Sequence, residues 1–169
     1  MLYQSTTRRR FATLVGTAGI TFFGSGIASA SGRDHNFRAP LSGDEEVPPV
    51  DTHARGNATF QLSRDRTELR YRLIFANIFD ITQAHIHTAP PGVNGPVVAW
   101  LYPDSPPPQP IPGRFDGILT EDRITANDLV GPLEEGSLED LITLMSAGQT
   151  YVNVHTSAHP PGEVRGQIR

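Results

Sequence analysis

The chain has 169 residues and a net charge of −4, with no cysteine, and arginine is its only strongly basic residue type. Without cysteine there can be no disulfide, thiolate metal site or cysteine nucleophile. An acidic, lysine-free surface argues against nucleic-acid binding, which needs a basic stripe.

This length allows one domain. Thr7-Arg8-Arg9-Arg10-Phe11 reads as a twin-arginine export signal, followed by the Gly-rich, weakly apolar run from Ala12 to Ile27 and the A-x-A site Ala28-Ser29-Ala30. Residues 1–30 are therefore expected to be removed, leaving an extracellular or cell-surface protein of 139 residues and net charge −7, with no transmembrane segment. An uncleaved anchor is the poorer reading, because Gly16, Gly19, Gly24 and Gly26 interrupt the apolar run.

Residues 31–36 form a polar lead-in, and the domain is expected over 37–169. Phe37–Leu41 reads as an edge strand, since Pro40 cannot donate to a ladder. An ordered loop follows over 43–50. Ala58, Phe60 and Leu62 alternate with polar neighbours, as do Leu69, Tyr71, Leu73 and Phe75, which predicts two half-buried strands joined across Ser63–Thr67. Arg64, Arg66, Arg70 and Arg72, interleaved with Asp65 and Glu68, predict a salt-bridged solvent face there. Further strands are predicted at 81–87, 97–102 and 115–119. The segment 103–112, with six prolines, reads as an exposed loop.

Ser137-Leu138-Glu139-Asp140 has the pattern of a helix cap, Leu138, Leu141, Ile142 and Met145 have helical spacing, and Gly148 supplies a stop. Tyr151–His155 and Glu163–Ile168 read as a closing hairpin, with Glu163 and Arg165 expected to pair with each other or with neighbours. Together these elements predict an all-β fold, an antiparallel β-sandwich or barrel of Greek-key type with one short crossover helix.

Ala84-His85-Ile86-His87-Thr88-Ala89-Pro90-Pro91-Gly92 is echoed by His155-Thr156-Ser157-Ala158-His159-Pro160-Pro161-Gly162. Side chains two apart on a strand share a face, so His85 and His87 project together, as do Asn153 and His155. If the two hairpins are neighbours, His85, His87 and His155 could converge as three imidazoles for Zn or Cu, with His159, Glu46 or Glu163 as a fourth ligand. The His-x-His strand is similar to that of copper-zinc superoxide dismutase, which would add redox activity. The alternative is structural, with each histidine hydrogen-bonding turn backbone, and Glu46 anchoring its loop. No G-x-S-x-G elbow, phosphate-cradling loop or placeable carboxylate pair is present, so no catalytic residue is named.

Leu41-Ser42-Gly43, Glu46-Val47-Pro48-Pro49-Val50, Ala84-His85-Ile86-His87, Gly92, Asn94-Gly95-Pro96-Val97, Ala147-Gly148, Tyr151–Thr156 and Pro161–Ile168 together resemble the CHRD domain, which was named from the chordin proteins and also occurs alone in exported prokaryotic proteins. The resemblance implies an immunoglobulin-like β-barrel or sandwich and no reaction. Function is then expected to be that of a non-catalytic extracellular binding module for a protein or cell-envelope component, docking through an apolar patch near Trp100 and Tyr102. A His-ligated Zn or Cu metalloprotein with dismutase-like activity is the alternative.

Overall fold

The computed structural model describes residues 36–169. The expected signal peptide, and the lead-in apart from Asn36, lie outside them. Seven strands are present among the described residues: β1 (Asn36–Ser42), β2 (Arg55–Leu62), β3 (Leu69–Thr88), β4 (Val97–Tyr102), β5 (Ile111–Ile124), β6 (Thr150–Thr156) and β7 (Val164–Gln167). One α-helix, α1 (Leu138–Ser146), enters between β5 and β6. It is not long and apolar enough to cross a membrane.

All the strand pairings are antiparallel and join one sheet in the order β2-β1-β7-β6-β3-β4, with β5 also on β3. Because β2 pairs with β3 as well, the strands β2-β1-β7-β6-β3 close into a five-stranded barrel. The barrel half of the expectation describes this sheet, and the immunoglobulin-like Greek key does not follow from the pairing. Closure depends on the length of β3, whose first part lies between β2 and β5 and whose last part lies between β6 and β4.

The two strands expected at 69–75 and 81–87 are thus one. The core residues of β3 are Leu69, Tyr71, Leu73, Phe75, Ile78, Ile81, Ala84 and Ile86, so the spacing is two, then three on three occasions, then two again. Each spacing of three accompanies a register shift, between Phe75 and Ile78, between Phe79 and Ile81, and between Ile81 and Gln83. Asn77 (φ 58°) and Asp80 (φ 51°) take the left-handed conformations that such bulges use. An odd number of one-residue slips reverses the parity of the strand. Odd-numbered residues face the core before the bulges and even-numbered ones after them, so His85 and His87 face away from it.

Strand β1 is not an edge. It pairs with β2 along its length and meets β7 at Ser42–Arg165, while Arg38 and Arg169 exchange backbone hydrogen bonds of 2.8 and 2.9 Å. Pro40 falls between these two contacts, so its missing N–H leaves a gap in the β1–β7 ladder instead of marking a free edge. Gly166 fills the same gap, since a Cβ there would fall on the Pro40 carbonyl oxygen.

The helix follows its sequence signals. The Ser137 hydroxyl accepts from the Asp140 N–H, the Asp140 carboxylate accepts from the Ser137 N–H, and Gly148 (φ 66°) ends the turn. Leu138, Leu141, Ile142 and Met145 join the core. The arginine-rich hairpin is salt-bridged as expected, with Arg66 on Glu139, Arg70 on Glu68 and Arg72 on Glu121.

Gly166→Ala is expected to destabilise the chain by about 2–3 kcal/mol, as overpacking against backbone does, whereas Ser137→Ala should cost about 1 kcal/mol through loss of the cap. Denaturant unfolding of both variants tests this. Equal, sub-kcal losses would mean that β1 and β7 do not approach closely at Gly166.

Candidate functional site

Every residue of β6 is buried, although one face of it, Val152 and Val154, already packs in the core. Its other face carries Tyr151, Asn153 and His155. Pairing sets His85, Asn153 and Arg165 in one row across β3, β6 and β7, and His87, Tyr151 and Gln167 in the next. The result is a polar layer outside the barrel, buried beneath loops.

The layer's own side chains hold those loops down. Arg165 donates to Asn94 Oδ1 (3.0 Å) and the Val93 carbonyl (2.9 Å), and Asn94 donates onward to the Val47 carbonyl (2.8 Å). Gln167 donates to the carbonyls of Ala89 (3.0 Å) and Gly148 (2.8 Å). Glu163 accepts from the hydroxyls of Thr52 (2.7 Å) and Thr156 (2.6 Å). Glu163 and Arg165 therefore do not pair with each other, because Glu163 is held by Thr52 and by Thr156 of β6, and Arg165 by Val93 and Asn94.

His85, His87 and His155 are only 3%, 9% and 7% exposed and offer ligand atoms that all lie within 4.8 Å of one another. Nδ1 of His87 lies 2.9 Å from the Gly95 carbonyl, and Nδ1 of His155 lies 2.8 Å from the Pro160 carbonyl. A carbonyl can only accept, so both Nδ1 atoms carry the proton and both Nε2 atoms present a lone pair. His85 Nδ1 lies 3.2 Å from His155 Nε2, and the Nε2 atoms of His85 and His87 have no partner. Two nitrogens bound to one tetrahedral metal at 2.0–2.1 Å stand about 3.3 Å apart, so the His85–His155 spacing fits shared ligation.

The rings are walled by aromatics. Trp100 meets His85 edge-on at 4.3 Å, and Tyr151 stacks on His87 at 4.8 Å with 10° between planes. The Tyr151 hydroxyl accepts from the Gly95 N–H (3.1 Å), so the residue that stacks on His87 also fixes the carbonyl that orients it. The Arg165 guanidinium caps the Tyr151 ring at 3.4 Å.

Of the three fourth-ligand candidates, none belongs to this cluster. Glu163 is bound as above. His159 contributes backbone, its N–H donating to the Thr156 hydroxyl and its carbonyl accepting from Gly162. Glu46 is buried, and its carboxyl accepts from the Asn153 amide (3.2 Å) beside Gly162 (φ 138°), where a Cβ would collide with both side chains. Burial raises Glu46 to about 7 against the opposing pull of Arg165 and Asn153. Trp100 is only half-buried against His85, and among the described residues the exposed large apolar side chains are Ile74, Phe79, Val93 and Ile118 rather than a Trp100–Tyr102 patch.

The sequence pointed to the histidines but missed Tyr151, Arg165 and the two carbonyls as their supports. The alternation Tyr151-Val152-Asn153-Val154-His155 placed Tyr151 on the histidine face. Nothing in the sequence marked the carbonyls of Gly95 and Pro160.

Burial, reinforced by the neighbouring imidazoles, lowers His85 to about 3; burial also lowers His87 to about 4 and moves His155 the same way. Each is thus neutral in the fold and protonates near 6.5 once unfolded, so its contribution is complete above pH 6.5 and is lost as pH falls below it. Glu46 acts oppositely between 4.5 and about 7. Urea unfolding of the metal-free chain between pH 6.5 and 5 should show stability falling by up to about 1.4 kcal/mol per pH unit for each histidine. The triple variant His85→Ala, His87→Ala, His155→Ala should flatten this slope, and equal slopes would mean the imidazoles titrate as they do in water.

No curated protein and no solved structure matches the chain. The CHRD domain profile matches residues 37–168, nearly all of the described part. A match over that much of the chain makes it a member of the CHRD domain family.

Proposed function

We propose that this protein is a CHRD domain exported by the twin-arginine route, freed of residues 1–30 outside the cell, and that it holds one Zn or Cu ion on His85, His87 and His155. The observation that carries the metal reading is the convergence of three neutral imidazoles, two of them turned by backbone carbonyls so that Nε2 points inward. Orienting a ligand through its other ring nitrogen is the usual support of a histidine metal site. The Nε2 atom of His87 is buried without a partner, a cost of about 1–3 kcal/mol that a metal bond would remove.

A second reading, a non-catalytic module that binds an extracellular protein or envelope component, draws support from Ile74 and Ile118. They face each other across β3 and β5 and are both exposed.

Metal analysis of the chain after incubation with Zn and Cu, beside the triple alanine variant, tests the first reading. One equivalent in the parent and none in an equally folded variant is expected. Equal uptake by both, or none by either, would return the histidines to a structural role.

A further inference from the structure

We infer that the histidine trio selects a monovalent ion, Cu(I), over Zn(II); this rests on the metal reading above and specifies its occupant. Three features lead to it. The first is charge. The donors are three neutral imidazoles with no carboxylate among them, and they are buried. The Born cost of burying an ion grows as the square of its charge, so a divalent ion is charged about four times the penalty of a monovalent one.

The second feature is the fixed charge nearby. The Arg165 guanidinium lies 3.4 Å from the Tyr151 ring centroid, and Tyr151 stacks on His87. A buried cation behind one ligand disfavours a second positive charge further. Two buried carboxyls share the layer, Glu46 on Asn153 and Glu163 on Thr52 and Thr156, but neither is among the atoms that surround the centre.

The third feature is coordination number. Zn(II) takes four ligands, with water as the fourth where the protein supplies three. Here the protein supplies three, and the rings of His85 and His87 are packed against Trp100 and Tyr151. Cu(I) needs no fourth ligand, and imidazole serves copper as it serves zinc, so coordination number and charge rather than donor type separate the two ions here. Such a site holds copper in its reduced state, which separates it from a dismutase, whose metal must also be stable as Cu(II).

Ag(I), which has the charge and coordination habits of Cu(I) but is stable in air, is the probe. The metal-free full chain is equilibrated in chloride-free buffer with one equivalent of Ag(I) and an excess of Zn(II), freed of unbound ions and its metals counted. The expected result is one Ag(I) per chain, favoured over Zn(II) by about tenfold or more, with quenching of Trp100, the single tryptophan, which lies against His85. The triple alanine variant should take up no Ag(I). Zn(II) retained in place of Ag(I) would overturn this inference and leave the metal reading standing. Neither ion retained would overturn both. Equal Ag(I) uptake by the variant would place the ion elsewhere and overturn the inference.

Discussion

Which way the histidines face is decided by the three register shifts along β3. Between Phe75 and Ala84 the core residues come every third position, at Ile78 and Ile81. A regular two-residue repeat continued from Leu69 would put His85 and His87 inside the barrel and Ala84 and Ile86 outside. The slips allow one continuous strand to close the barrel with its first part and to carry imidazoles on its outer face with its last. Asn77 and Asp80, in left-handed conformations, are where the chain accommodates this.

A polar layer on the outer face of a small barrel would ordinarily meet water. Here it is roofed, and the roof is tied down by the layer's own side chains, Arg165, Gln167 and Glu163. Desolvation then sets the chemistry. Imidazoles that would titrate near neutrality are held unprotonated, and the Nε2 atoms of His85 and His87 are left buried without the partners that water would have supplied. Tyr151 links the two functions of the layer, because it stacks on His87 and holds the Gly95 N–H, while the Gly95 carbonyl orients His87.

Much of this was legible in the sequence wherever a period or a local cap carried the information. Alternation marked β2 and the first part of β3, and Ser137 with Asp140 marked the helix start. The echo of the two histidine motifs also anticipated that β3 and β6 would be neighbours. The rest depended on tertiary context. The continuity of β3 was hidden because a spacing of three looks like the end of a strand. Pro40 suggested an edge because its missing donor was visible, while the close approach of Gly166 that fills the gap was not. Glu163 and Arg165 looked like an ion pair because their charges are written in the sequence, but Thr52, Val93 and Asn94, which hold them together with nearby Thr156, come from loops far along the chain.

The central claim is that Gly95 and Pro160 fix the tautomers of His87 and His155 before any metal arrives. Long-range proton–nitrogen NMR of the metal-free, imidazole-labelled chain at neutral pH reads this directly. Nitrogen shifts showing the proton on Nδ1 in both residues are the result this account requires. A proton on Nε2 in either one, or a fast-exchanging imidazolium, would contradict it, because the lone pairs would then not point at a common centre.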